Sequence, residues 1–244
     1  ISKFIPYNGD QRPSVNNTVN LFSSRGLNSS FAAAYFPDVI LSLPTTDYNI
    51  DRVEVPPSVV VLGAMSLNDS LGYPWFAPAG PSRGSLVTTL TTTVDIKEQD
   101  INNLYKNNIN PLYKPTNASN TTSGVVIWGQ KTLQKSNAIL SRINNRRLLL
   151  EIRRQARDVA LQLLFNQDLN STLNLFSTQM NSRLSTIKSL FGLNDYNVIV
   201  DASTTTKSDI ENNTIRGKIY LRPTKTKEFL SLDFIVSNGL ESEI

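Results

Sequence analysis

Residues 144–165 read NNRRLLLEIRRQARDVALQLLF, and this stretch decides the fold. At about 100° per residue, Leu149, Ile152, Ala156, Val159, Ala160 and Leu163 line up as one apolar stripe. The spacing predicts a helix over 145–165 with Asn144 as its cap. A second helix is predicted from about Ser171 to Phe191, capped by Asn170 and stopped by Gly192. Its stripe is Leu173, Phe176, Met180, Leu184, Ile187 and Phe191. Beyond it, Tyr196–Val200 reads as a strand. Two alternating segments, about 215–222 and 230–236, are predicted to close the chain as a hairpin across five or so polar residues including Pro223.

Upstream, the pattern is broken more often. Residues 1–28 carry Pro6, Gly9, Pro13 and Gly26 and are expected to be mostly irregular. Ser30–Phe36 and Val39–Leu41 form a buried strand region interrupted at Pro37. Pro56 and Pro57, with Ser58 as a cap, precede a short buried helix over Val59–Met65, although its β-branched run leaves a strand open. Pro74–Pro81 holds three prolines, a glycine and two aromatics, which predicts a rigid, packed loop. Leu86–Val94 is β-prone. Asp95 is expected to cap a helix over about 96–107 with Ile101 and Leu104 inward, and Val125–Trp128 reads as a buried strand. The fold class is therefore mixed α/β (α+β).

Composition removes most chemistry. The 244 residues hold no His and no Cys, which excludes disulfide frameworks, thiol nucleophiles, imidazole catalysis and thiolate or imidazole metal sites. No phosphate loop or Gly-x-Ser-x-Gly elbow is present. Asp195, Asp201 and Asp209 lack calcium-loop spacing and are expected to cap turns. Ser82–Ser85 is expected to be a plain turn. A carboxylate-pair hydrolase survives only as a weak third reading. No cofactor and no membrane insertion are expected. The chain opens on Ile1, which reads as a fragment or a processed product.

Charge is concentrated. Between Lys131 and Asp158 there are eight basic and two acidic residues, a local +6 in a chain whose net charge is +4. On the 145–165 helix, Arg146, Arg147, Arg153, Arg154 and Arg157 share one angular sector with Leu150 and Leu161. Arg mixed with Leu suits a protein interface, where Arg is enriched and Lys depleted. The rival function is a nucleic-acid-binding module that uses the Lys131–Asp158 segment, and a solvated face draped over leucines is the plain structural alternative.

Several segments in order resemble one family, the contractile tail sheath proteins of bacteriophages and related injection machines. They are Ser30–Pro37, Val55–Ser58, Trp75–Gly80 (WFAPAG), Ile109–Pro111, Val126–Thr132 (VIWGQKT), Arg142–Leu149 (RINNRRLL) and the block from Asp201 to Phe234. The resemblance spans roughly 30–240, with Gln130-Lys131 departing from the usual pair. It implies a structural subunit that stacks in rings around a tail tube and contracts to drive the tube through a host envelope. It also implies two lobes: 1–95 as part of an upper sheath-core domain and 96–244 as the inner domain, a small sheet packed by two long helices. Implied partners are other copies, the tail tube protein, and baseplate and tail terminator proteins, without direct nucleic-acid contact. The implied location is the virion tail, with assembly in the host cytoplasm. Terminal arms that exchange strands point to Leu230, Leu232, Phe234, Val236 and Leu240, with residues from Asn238 on forming the arm.

Overall fold

The computed structural model describes residues 14–44, 50–115, 124–165, 168–201, 204–206, 208–209, 212, 214–226 and 228. The expected mixed α+β architecture is present, as five helices and three small sheets among these residues. The segments 230–236 and 238–244, and with them Leu230, Leu232, Phe234, Val236 and Leu240, lie outside the described residues.

The first sheet is built from β1 (Ala34–Phe36), β6 (Ile109–Tyr113), β7 (Val125–Ile127) and β4 (Ser85–Leu86), in that spatial order. β1 and β6 run parallel, and the other neighbours are antiparallel. Alternation along β1 sends Ala34 and Phe36 to one core and Tyr35 to another. The first core is covered by α1 (Val15–Ser24) and α3 (Glu98–Lys106), the second by α2 (Pro57–Leu71). A strand buried on both faces reads as a continuous apolar run, and Val125-Val126-Ile127 does so. This sheet takes strands from both sides of residue 95.

The second sheet is antiparallel, with β2 (Val39–Pro44) between β3 (Ile50–Val55) and β5 (Thr89–Thr92). The third is the antiparallel pair β8 (Leu193–Ile199) and β9 (Lys218–Pro223). It packs on α4 (Ile143–Leu163) and α5 (Leu169–Ser189) around Leu148, Ile152, Val159, Met180, Leu184 and Ile187. Trp75, from the proline-rich loop, closes this core. Its Nε1 donates to Leu190 O at 3.1 Å.

Several expectations shift. α1 occupies a stretch expected to be irregular: the Ser14 hydroxyl accepts from Asn17 N at 3.2 Å, and Val15 and Val19 bury against α3. α2 is a helix with Pro57 in its first turn, but Ser58 lies inside it and caps nothing. α3 starts after Asp95, with Lys97 N bonded to Asp100 Oδ2 at 3.1 Å. α4 starts at Ile143 rather than Asn145, and Asp168 rather than Asn170 caps α5 by accepting from Asn170 N. On α4 the buried line runs through Leu148, Ile152 and Val159. Leu149 and Ala160 sit about 100° and about 120° away from Leu148, at the edge of that stripe, and Ala160 is exposed. α5 turns out through Phe191 at φ +61°, while Gly192 is needed for space: a Cβ there would meet Ile187 Cγ2 at 2.6 Å and Trp75 Cδ1 at 3.1 Å.

Leu184 is fully buried and Leu161 is exposed on the neighbouring helix. Leu184→Ala is expected to cost about 2–5 kcal/mol of unfolding free energy, and Leu161→Ala less than about 0.5 kcal/mol. Urea denaturation followed by circular dichroism checks the contrast. Equal losses would show that the assignment of inner and outer faces is wrong.

Candidate interaction surface

The start of α4 is set by a chain of contacts beginning at Asn110. This buried amide donates from Nδ2 to Ala34 O (3.0 Å) and Lys131 O (2.8 Å), and its Oδ1 accepts from Lys131 N at 2.7 Å. Gly129 passes so close that a Cβ would lie 2.8 Å from Asn110 Oδ1. The segment then pairs with the approach to α4: Lys131 bridges Arg142, Thr132 N donates to Ser141 O, and Ile143 N donates to Gln130 O at 2.8 Å. The motif residues thus orient one helix.

A second tie comes from the far end of the described chain. Glu228 takes Arg142 Nε on Oε1 at 2.7 Å, Gln130 Nε2 on the same oxygen at 3.1 Å, and the Tyr105 hydroxyl on Oε2. Burial, then the hydrogen bond and charge of Glu228, push the Tyr105 phenol well above its ordinary range. Lys131 donates to Tyr105 O at 2.7 Å and stacks 4.0 Å over the Tyr105 ring. Burial, and then repulsion from Arg142, hold its pKa below the usual lysine value.

The five arginines of α4 do not act as one group. Arg146 is buried; it donates to Ser30 O and Ser30 Oγ and lies 4.0 Å over the Phe31 ring. Burial, then Arg153, lowers its pKa. Arg147 pairs with Asp69 of α2. Arg154 bridges Glu151 and Asp158 along its own helix, at 2.6 and 3.0 Å. The hydrogen bond from Arg154 holds the Glu151 carboxyl below its ordinary range. Arg153 and Arg157 stay exposed with no carboxylate partner among the described residues, beside Leu150 (44% exposed) and Leu161 (55%).

The +6 segment is therefore dispersed. Lys131, Arg142, Arg146, Arg147 and Arg154 are spent inside the chain, which leaves Lys135, Arg153 and Arg157 outward. A surface for a phosphate backbone needs several free cations together, and this segment does not present them.

The carboxylates also serve structure. Asp209 accepts from Thr206 N and Oγ1 at 3.0 and 2.7 Å and pairs with Arg216 at 2.7 Å. Asp195 pairs with Lys188, and the backbone carbonyl of Asp201, not its carboxylate, accepts from Thr204 N in a turn. No group of acidic side chains fit to hold a metal ion occurs among the described residues, and no helix there is long and apolar enough to cross a membrane. Gly84 packs on the backbone of Ala79 and donates to Gly80 O, so Ser82–Ser85 is a packed turn.

No protein-family model matches the chain. It is similar to the tail sheath protein of Vibrio phage KVP40, 28% identical over 191 residues, and to that of Enterobacteria phage T4, 25% identical over 190 residues. Each match covers 78% of this chain but only 28% of the relative, so the chain spans under a third of the length of the curated relatives it matches. Among solved structures, the fold is shared with a chain of the contracted sheath complex of an extracellular contractile injection system (PVC). There the TM-score is 0.78, the identity 19%, and the cover 94% of this chain and 62% of the other. It is also shared with a chain of the anti-feeding prophage baseplate, at TM-score 0.73 and 18% identity, covering 92% of this chain and 66% of the other. The resemblance to tail sheath proteins read from the motifs holds across most of the chain.

Two outcomes follow from this chemistry. Glu228→Gln leaves the Arg142 guanidinium half-buried without its counter-charge and is expected to cost about 1–3 kcal/mol, with Tyr105→Phe costing about 1 kcal/mol. Denaturant midpoints measure both, and an unchanged E228Q midpoint would contradict the tie. The Thr206 and Arg216 hydrogen bonds hold the Asp209 carboxyl down to about 2. Because this lies below the unfolded carboxylate value of about 3.9, the contribution of Asp209 is full above about pH 4 and lost as pH falls through about 2. Carboxyl-carbon NMR titration is expected to show the low midpoint, and Thr206→Ala to raise it.

Proposed function

We propose that this chain forms part of a structural subunit of a contractile phage tail sheath, which polymerises around a tail tube and shortens to drive it through the host envelope. The similarity to two phage tail sheath proteins over 78% of the chain carries this reading. The exposed strip of Leu150, Arg153, Arg157 and Leu161 supports it. Guanidinium groups beside leucines on a rigid helix match the composition of protein interfaces. Arg146 and Arg147, from the same sector of the helix, tie it to Ser30 and to Asp69 of α2, and Arg154 bridges Glu151 and Asp158 along it.

The partners under this proposal are other copies of the subunit, the tube protein, and baseplate and terminator proteins. The place of work is the virion tail, after assembly in the host cytoplasm. The described β8–β9 pair is only two strands wide. Addition of an alternating strand such as Leu230–Val236, and exchange of an arm across subunits, would widen it and keep the mesh connected. Residues 1–95 would supply most of the upper sheath-core domain and 96–244 most of the inner domain, with β6 and β7 crossing back to complete the first sheet. The extended lattice is metastable in this scheme, and contraction is a concerted rearrangement of many weak contacts. No cofactor enters it.

Arg153→Glu with Arg157→Glu in the full-length protein is the test. Both sites are exposed, so the melting temperature is expected to hold, each substitution staying within about 0.5 kcal/mol. Wild-type protein is expected to form hollow tubular polymers in negative-stain electron microscopy, and the double variant to remain unassembled. Equal polymer yield from both would exclude this strip as the contact, and the absence of polymers from wild type would overturn the sheath function.

A further inference from the structure

Among the described residues the cores divide into two bodies that share no side chain. Every member of the first two cores lies between Val15 and Ile143. Every member of the third lies between Leu148 and Leu221, apart from the buried Trp75 and the half-buried Phe76 next to it. A body with its own core can move as a unit.

Two kinds of contact join these bodies. The first is gathered at the start of α4, which leaves one core at Ile143 and enters the other at Leu148. There Arg146 holds Ser30, Arg147 holds Asp69, Glu228 holds Arg142, and Asn144 Nδ2 donates to Thr226 Oγ1 at 3.0 Å. Ties confined to the first turns of one helix make a pivot rather than a broad seam.

The second is Trp75. Its loop belongs to the first body: Ala79 packs on the first core, and Gly80 N donates to Ile127 O at 2.9 Å. Its ring belongs to the other, bonded to Leu190 O and so close to Gly192 that a Cβ there would lie 3.1 Å from Trp75 Cδ1. Tyr73 stacks on the ring at 4.8 Å and keeps it from swinging. Beside the ring the seam is open: a cleft of about 390 Å³ lies between the loop and the α4–α5 pair, lined by Tyr73, Gln155, Arg183 and Thr186. One buried Trp covers about 150–250 Å², well short of the roughly 600–1,500 Å² of a usual interface between domains.

We infer that Trp75 is a lock between the two bodies. Seated, it holds α4, α5, β8 and β9 against the first two sheets. Withdrawn, it lets them swing as a unit about the first turns of α4, without unfolding either body. The lock stands whether or not the chain builds a sheath.

Spin labels on p-acetylphenylalanine at the exposed positions 66 on α2 and 174 on α5 of the unassembled full-length protein report the separation of the bodies by pulsed electron spin resonance. Wild type is expected to give one narrow distance. Trp75→Ala is expected to broaden it toward longer values, with far-ultraviolet circular dichroism unchanged. Trp75→Phe keeps a ring in the seat and is expected to restore most of the narrow distribution. Leu184→Ala weakens the third core from α5, so it is expected to lower the melting temperature and leave the distance narrow. Tyr73→Ala, at an exposed site, frees the ring and is expected to broaden the distance to a lesser degree, which decides the matter should Trp75→Ala not fold. A broad distance in wild type, a wild-type distance in Trp75→Ala (or in Tyr73→Ala where the former does not fold), or equal broadening in Leu184→Ala would overturn the lock and leave the sheath function standing. Failure of wild-type protein to polymerise would overturn the sheath function and leave the lock standing.

Discussion

The buried side chain of Asn110 is the constraint from which the outward face of this molecule follows. One amide satisfies two carbonyls and one N–H drawn from β1 and the segment after β7. In a site with no solvent access, each of those groups would otherwise be an orphan, and orphaned buried polar groups are expensive. Gly129 must lack a Cβ for the approach to occur. The segment so fixed pairs with residues 141–143 and sets where α4 begins, and hence which of its side chains point out. Glu228 fastens the same junction from the far end of the described chain by holding Arg142, Gln130 and Tyr105 together.

Most of the charge in this region is consumed by that framework. Five of the eight cations between Lys131 and Asp158 are bound to Tyr105, Glu228, Ser30, Asp69 or Glu151 and Asp158. What remains outward is Lys135 and a narrow strip of Arg153, Arg157, Leu150 and Leu161, with Leu164 and Phe165 exposed at the end of the helix. Under the proposed sheath function, such a surface would serve many modest contacts between copies. Modest contacts that can be remade in a new arrangement are what a lattice with two stable packings needs.

Periodicity made the long elements legible. α4, α5 and the strands β1, β2, β7, β8 and β9 lie where the apolar spacing puts them, and the proline-rich loop is packed as its composition implies. Helix ends were less legible, since a cap depends on one hydrogen bond and several residues compete for it. Asp168 and not Asn170 accepts at α5, and Asp100 completes the start of α3 two residues after Asp95 would have. α1 was hidden because its buried face is only Val15, Thr18 and Val19 in a polar stretch. The arginine sector was correct as an angle on a helix. Its division into bound and free members depends on Ser30, Asp69 and Phe31, which are remote in sequence and leave no local signal. The Glu228 tie was equally invisible, because its partners at 105, 130 and 142 come together only in the fold.

The most direct measurement is a helical reconstruction by cryo-electron microscopy of the assembled full-length protein, at a resolution that shows side chains. Leu150, Arg153, Arg157 and Leu161 are expected to be buried against another subunit or the central tube, with the Arg153 and Arg157 guanidinium groups paired to carboxylates across that boundary. A reconstruction in which this strip faces bulk solvent in the polymer would contradict it.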